Sequence, residues 1–113
     1  MNFNEYADKA IATLTDGHEF GDVDAKLMAQ VLGLVGESGE VAEKFKKLLR
    51  DKSGVITDET RAEIIKELGD ILWYVNSVAH LIGSSLEEVA VRNNAKLASR
   101  KQRDKIRGSG DNR

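Results

Sequence analysis

Apolar residues recur every three or four positions over two long stretches of the chain, the period of an α-helix with one buried face. Between 22 and 51 the repeating positions are Leu27, Val31, Leu34, Val35, Val41, Phe45 and Leu48. Between 58 and 83 they are denser: Ile64, Ile65, Leu68, Ile71, Leu72, Val75, Val78, Ala79 and Ile82. No segment shows the alternation of a strand. The pattern predicts an all-α fold in which the helix over 58–83 is central.

Capping residues and glycines indicate where the helices end. The predicted helices run over about 4–14, 22–51, 58–83 and 86–105. Ser85 with Glu88 three residues later has the spacing of a capping box, and Gly83 suits a left-handed helix C-terminus. The turn around Gly54 is short, so the second and third helices should be antiparallel neighbours. We therefore predict a bundle of four to five helices.

Composition bounds the class of protein. The chain has 113 residues, no proline and no cysteine, which excludes disulfides, thiolate metal sites and cysteine nucleophiles. We predict one domain over 1–107 and a disordered tail over 108–113. No apolar run is long enough to cross a membrane, and Met1 to Asp8 lack the features of a secretion signal. A cytoplasmic protein is expected.

Charge is distributed unevenly along the chain. Residues 1–91 carry 17 acidic and 9 basic side chains, whereas residues 92–113 carry 8 basic and 2 acidic ones. A basic end can bind nucleic acid. No aromatic residues interleave with these bases for stacking, so a solvated helix end is the favoured interpretation and nucleic-acid binding is not expected. A third option is that one or two of the bases contact a substrate phosphate.

Two pairs of acids with the same spacing lie on neighbouring predicted helices. Glu37 and Glu40 share one face of the second helix, and Glu67 and Asp70 share one face of the third. Each pair lies about 14–21 Å from the connecting turn, at 1.5 Å per residue, so an antiparallel hairpin would set them level. Four carboxylates converging beside a core would repel one another unless a cation held them. Hard oxygen ligands favour Mg²⁺ or Mn²⁺, although acids at this spacing also occur on solvated helix faces.

Other catalytic patterns are unsupported. A di-iron bundle needs Glu-x-x-His, but Ser77 precedes His80 by three residues and Thr15 precedes His18. His80 is expected to be a partly buried bundle residue and His18 a loop residue. No glycine-rich phosphate loop with a lysine occurs. The glycines at 33, 36 and 39 fall within a predicted helix, which indicates close approach of another helix or a ligand.

At the acidic residues the sequence resembles the MazG-like group of all-α nucleoside triphosphate pyrophosphohydrolases, which share a motif of the form E-E-x-x-E followed by E-x-x-D. The matching segments here are 36–40 (GESGE) and 67–70 (ELGD). A later N-x-x-K-L-x-x-R pattern is formed by Asn93, Lys96, Leu97 and Arg100. The resemblance covers about residues 25–101. Gly36 stands where many members have the first glutamate, a departure that is similar to the dCTP pyrophosphatase-like branch.

The resemblance implies hydrolysis of a (deoxy)nucleoside triphosphate to the monophosphate and pyrophosphate, by attack of an activated water on the α-phosphorus. It implies that Glu37, Glu40, Glu67 and Asp70 hold Mg²⁺, with Mn²⁺ as a substitute, and that Glu37 and Glu40 are catalytic, Glu37 as general base. The expected substrate-binding residues are Tyr74, Asn93, Lys96 and Arg100, and Trp73 is a second candidate for stacking, although core packing explains either aromatic equally well. Lys44 and Lys47 could also approach a phosphate, but surface solvation is the favoured interpretation.

Two further expectations concern partners and activity. The family resemblance implies a homodimer or homotetramer with sites between subunits, so that the basic fourth helix acts on a neighbour's substrate. The alternative function is a non-catalytic helical interaction module of the same fold.

Overall fold

The computed structural model describes residues 1–14, 21–103 and 110. It contains four helices, α1 (Phe3–Ile11), α2 (Ala25–Asp51), α3 (Asp58–Leu81) and α4 (Leu86–Gln102), and no strand among these residues. The all-α prediction is therefore confirmed. The predicted loop over 15–20, with His18, and the predicted disordered tail lie outside the described residues, apart from Gly110. None of the described helices is long and apolar enough to span a membrane.

Helix ends follow the capping chemistry of the sequence, with small shifts. Helix α2 begins three residues later than predicted, and the side chain of Asp24 accepts its N-cap hydrogen bond from the amide of Leu27. Thr57 caps α3 in a reciprocal arrangement with Thr60. These side chains satisfy amide groups that have no partner within the helix.

The ends around the α3–α4 connection were predicted correctly. Ser85 caps α4 through the amide of Glu88, as its spacing indicated. The carboxylate of Glu88 is used differently from a capping box, because it accepts a hydrogen bond from the hydroxyl of Ser84. Gly83 follows α3 with φ of 82°, the left-handed conformation expected of a glycine at that position.

The fold is organised around the antiparallel hairpin of α2 and α3. Helix α3 also packs against α4, whereas α1 packs against none of the other described helices. The prediction that the third helix is central is correct in this sense: it is the one described helix with two neighbours.

Each helix of the hairpin presents two columns of covered or partly covered residues, each with a seven-residue repeat. On α2 one column is apolar (Leu27, Leu34, Val41 and Leu48) and the other is polar (Gln30, Glu37 and Lys44). On α3 the columns are Ile64, Ile71 and Val78, and Thr60, Glu67, Tyr74 and Leu81. A seven-residue repeat keeps the same side chains facing a partner helix over its full length. The hairpin therefore has an apolar strip that holds it together and, beside it, a polar strip.

The single chain buries little. Among the described residues only Leu48, Ala79 and Arg100 are classed as buried. The radius of gyration is 20.0 Å, compared with about 13 Å for a compact domain of this length. The exposed area is 9535 Å², about 3,400 Å² more than a compact monomer of 12.4 kDa exposes. Exposed large apolar side chains occur on all four helices, among them Leu32 and Val35 on α2 and Leu68 and Leu72 on α3.

Candidate metal and nucleotide site

Three of the four predicted carboxylates meet on the polar strip of the hairpin. One oxygen each from Glu37, Glu67 and Asp70 lies within 4.8 Å of the others. Glu37 and Glu67 are half-buried and Asp70 is exposed, so the group opens to solvent on one side. The register predicted from the distances to the turn is therefore right for these three residues, which we call the acidic cluster.

Glu40 lies outside the acidic cluster. It is exposed and lines a groove of about 280 Å³ nearer the α2–α3 turn, together with Lys44, Lys47, Glu43 and Glu63. Its charge still contributes to the environment of Glu37, as the weakest of the acidic neighbours. The single chain thus places Glu40 one helical turn from the cluster, at the edge of the adjoining groove.

Electrostatics within the cluster favour a proton or a cation. Burial raises the pKa of Glu37 above its ordinary value of 4.5, and the negative charges of Asp70 and Glu67 raise it further. The repulsion between these neighbouring carboxylates is reduced either when one of them is protonated or when a cation binds between them. Carboxylate oxygens on two facing helices are ligands of the type that Mg²⁺ accepts. The donor set therefore fits a divalent cation.

Lys44 lies beside the acidic cluster, where the sequence favoured surface solvation. Its ammonium group lies 3.7 Å from Glu63 Oε2 and 3.9 Å from Glu67 Oε1, so it pairs across the hairpin. The available signal was the seven-residue spacing from Glu37 to Lys44, which places both residues on the same strip of α2.

The predicted aromatic contact residues lie next to the cluster, one turn further along α3. The ring of Tyr74 is half-buried and lies against Gly33, while Trp73 is 59% exposed and meets Tyr74 edge-on, with ring centroids 5.0 Å apart. The prediction of close packing is confirmed at Gly33. Around Gly36 and Gly39 the single chain leaves open space.

The predicted contacts from α4 are not brought to the cluster within one chain. Asn93 and Lys96 line a shallow depression together with Arg92. None of the four predicted carboxylates belongs to that depression. Arg100 is only 3% exposed, so its side chain lies inside rather than at a phosphate-binding surface. Helix α4 contacts α3 and not α2.

One further expectation was wrong. His80 is exposed instead of partly buried, and it lines a cavity between α2 and α3. Its neighbour Ala79 is only 3% exposed, so the covered side of α3 falls at Ala79 and the next position, about 100° further around the helix, faces solvent.

Comparisons with known proteins agree with this architecture. Residues 25–103 match the model of the MazG nucleotide pyrophosphohydrolase domain, a segment that contains α2, α3, α4 and all four carboxylates. The chain is also similar to the Gene 37 protein of Mycobacterium phage L5, with 53% identity over 95 residues, which cover 82% of this chain and 83% of the phage protein. No solved structure gives a significant match. The chain belongs to the MazG nucleotide pyrophosphohydrolase family.

Proposed function

We propose that this protein hydrolyses a (deoxy)nucleoside triphosphate to the monophosphate and pyrophosphate, using Mg²⁺ held by Glu37, Glu67 and Asp70 with Glu40 beside them. The observation that carries the proposal is the convergence of three carboxylate oxygens within 4.8 Å on facing helices. A family named for nucleotide pyrophosphohydrolase activity supports the reaction type. Mn²⁺ is the expected substitute because it accepts the same oxygen ligands.

The acidic cluster cannot bind a triphosphate unaided, since both are negatively charged. Bound Mg²⁺ supplies the positive charge that attracts the phosphate oxygens and stabilises the charge that develops on them. The carboxylates position that charge: Glu37 from α2, and Glu67 and Asp70 from α3. Lys44 adds a fixed positive charge within 3.9 Å of Glu67.

Glu37 is our choice of general base. It is half-buried and lies with Glu67 and Asp70 in the acidic cluster, so its carboxylate is placed to accept a proton from a water held beside a bound cation. In the proposed step, a water oxygen forms a bond to the α-phosphorus and gives its proton to Glu37. The bond from the α-phosphorus to the bridging oxygen breaks, and pyrophosphate leaves with the bonding electron pair. Glu40, at the edge of the site, completes the predicted ligand set.

The substrate-binding residues on α4 support a site shared between copies of the chain. Lys96 and Asn93 lie on a separate surface from the acidic cluster in one chain, so they would reach a substrate held by a neighbouring copy. Each chain exposes about 3,400 Å² more than a compact monomer, which exceeds the roughly 1,000–2,500 Å² that one partner contributes to an obligate interface. We propose a homodimer or homotetramer, with Tyr74, Asn93 and Lys96 contacting the nucleotide, whereas the buried Arg100 stabilises the chain from inside.

A panel of nucleotides tests this function directly. The purified chain is incubated with each common and modified (deoxy)nucleoside triphosphate in Mg²⁺ or Mn²⁺, and the products are identified by chromatography and phosphorus NMR. We expect the monophosphate and pyrophosphate from at least one substrate, and no reaction in EDTA. Release of inorganic phosphate with a diphosphate would show a different bond to be cleaved. Silence across the panel with both metals would favour the non-catalytic helical module.

A further inference from the structure

A second cavity in the hairpin has a different chemistry from the acidic cluster. It measures about 220 Å³ and lies between the first two turns of α2 and the C-terminal part of α3. It is lined by Lys26, Gln30, Trp73, Asn76, Ser77, His80 and Leu81, a set with one basic and no acidic side chain. Aromatic and amide groups converge here, on the same hairpin that carries the carboxylates.

The position of this cavity relative to the cluster is set by the helix rise. Asn76 and His80 follow Asp70 by six and ten residues, about 9–15 Å along α3. The near end of that span, at Asn76, is comparable to the length of one nucleotide from its phosphate to the far edge of its base. Lys44 lies on the other side of the cluster, toward the α2–α3 turn. The hairpin therefore presents, in order, an aromatic and amide cavity, a group of carboxylates and a lysine.

The lining groups match the surface of a nucleobase. Trp73 offers an exposed aromatic ring for stacking, the interaction that every base can make. Gln30 Oε1 is buried and accepts no hydrogen bond within the described part of the chain, although it is a strong acceptor. Rotation of the amide about its soft terminal torsion would turn it toward a base-edge N–H group. The exposed amide of Asn76 can both donate and accept.

Size limits the occupant. Whole small-molecule sites usually measure about 300–1,000 Å³. A cavity of 220 Å³ suits one ring system with its edge groups, while the sugar and phosphates lie outside it.

We propose that this cavity is the nucleobase subsite: Trp73 stacks on the base, Gln30 and Asn76 bind its edge, and the triphosphate runs along the hairpin toward Lys44. The assignment rests on the proposed function for the identity of the ligand. It adds a direction of binding and the residues that determine base preference.

The chain provides its own probe, because Trp73 is the sole tryptophan of the sequence. Its fluorescence is measured during titration with the four deoxynucleoside monophosphates in Mg²⁺, with inorganic pyrophosphate as the control. We expect saturable quenching by at least one monophosphate and none by pyrophosphate. Absence of quenching by all four monophosphates would overturn the assignment, as would an equal response to pyrophosphate.

Base preference is tested with Asn76→Ala and His80→Ala, and with Asn94→Ala as the matched control. Asn94 is exposed on α4 and lines none of the cavities described above. We expect Asn76→Ala to raise KM about tenfold for the preferred substrate, the loss expected for one base-edge hydrogen bond, and to flatten the ranking of bases. The Asn94→Ala variant should retain the native KM and the native ranking of bases. An unchanged ranking in Asn76→Ala and His80→Ala would overturn the subsite.

These measurements separate the two proposals. Turnover without an effect of the cavity variants would leave the proposed function intact and remove the subsite. Quenching by a monophosphate without turnover of any triphosphate would do the reverse. Sedimentation of Trp73→Ala supplies the remaining comparison: if this change dissociates the oligomer and no monophosphate quenches the native chain, Trp73 is an interface residue and the subsite assignment is wrong.

Discussion

The ring of Tyr74 lies directly over Gly33, so closely that a β-carbon built on the glycine would sit 2.2 Å from Cε1 of the ring. This contact joins the polar strips of α2 and α3 one turn from Glu37. It explains why a residue of low helix propensity occurs within a long helix. It also fixes the position of the aromatic ring between the acidic cluster and the second cavity.

We predict that Gly33→Ala destabilises the protein by about 1–3 kcal/mol, because the added methyl group overpacks the contact with Tyr74. Alanine is the better helix former, so propensity alone predicts the opposite sign. Urea unfolding gives the free energy. In a double-mutant cycle with Tyr74→Leu, the cost of Gly33→Ala should largely disappear. An equal cost in both backgrounds would mean that the clash is not with the tyrosine ring.

Asp70→Asn should abolish pyrophosphate release while the helical circular dichroism spectrum is retained. The change keeps the size of the side chain but removes one negative charge from the acidic cluster, which weakens cation binding. Glu59→Gln in the exposed first turn of α3 is the matched control and should retain activity. The metal assignment would be contradicted by an Asp70→Asn variant that turns over at the native rate.

Stability should depend on pH and on metal through Glu37. Its pKa is raised in the folded chain, so the folded state binds more protons than the unfolded state at pH values just above 4.5. The free energy of unfolding should therefore fall as pH rises through that window in EDTA. Glu37→Gln removes the titrating group, and its stability should vary less with pH there. Thermal unfolding in EDTA across pH 4–7 makes the comparison, and the prediction fails if native and variant curves run parallel.

Mg²⁺ should restore, at neutral pH, the folding stability that is lost when Glu37 ionises in EDTA. A ligand that binds only the folded state stabilises it by about 2.7 kcal/mol at a hundred times its Kd. We expect a saturable rise of Tm with Mg²⁺ in the native chain and a much smaller rise in Glu37→Gln. Na⁺ at matched ionic strength separates specific binding from general screening, and an equal rise of Tm with Na⁺ would contradict a metal site.

Self-association should depend on the outer face of α3 formed by Ile65, Leu68 and Leu72, each about half exposed in the single chain. We predict that Leu72→Glu dissociates the oligomer and lowers Tm, because it places a charge in the apolar contact. Lys66→Glu, a charge change at an exposed position of the same helix, should leave the assembly intact. Sedimentation velocity distinguishes the species. A native chain that sediments as a monomer would contradict the proposed assembly.

Much of the fold followed from local rules. Helix periods, the caps at Thr57 and Ser85 and the glycine at 83 depend on neighbouring residues, so sequence reasoning located them to within a few positions. The distance of each acidic pair from the connecting turn follows from helix rise alone. Equal distances on two antiparallel helices therefore predicted that Glu37 lies beside Glu67 and Asp70.

What sequence reasoning missed depends on the angle at which each helix faces its neighbour. Residues at i, i+3 share a face but lie about 60° apart around the helix, so Glu37 can enter the hairpin while Glu40 stays at its edge. The orientation of each helix about its own axis likewise places Lys44 toward Glu63 and leaves His80 exposed. Such orientation is decided by the packing of the two helices, which no single segment encodes.

The separation of the hairpin into an apolar strip and a polar strip has a consequence for how this protein can change. Leu27, Leu34, Val41 and Leu48 keep α2 attached to α3, whereas Gln30, Glu37 and Lys44 occupy the parallel column, seven residues apart. Substitutions in the second column can alter ligand chemistry without removing the contacts that hold the helices together. A library confined to that column and to its counterparts on α3 would search for new substrate preferences with a low risk of unfolding. The architecture thus permits diversification of specificity on a constant scaffold.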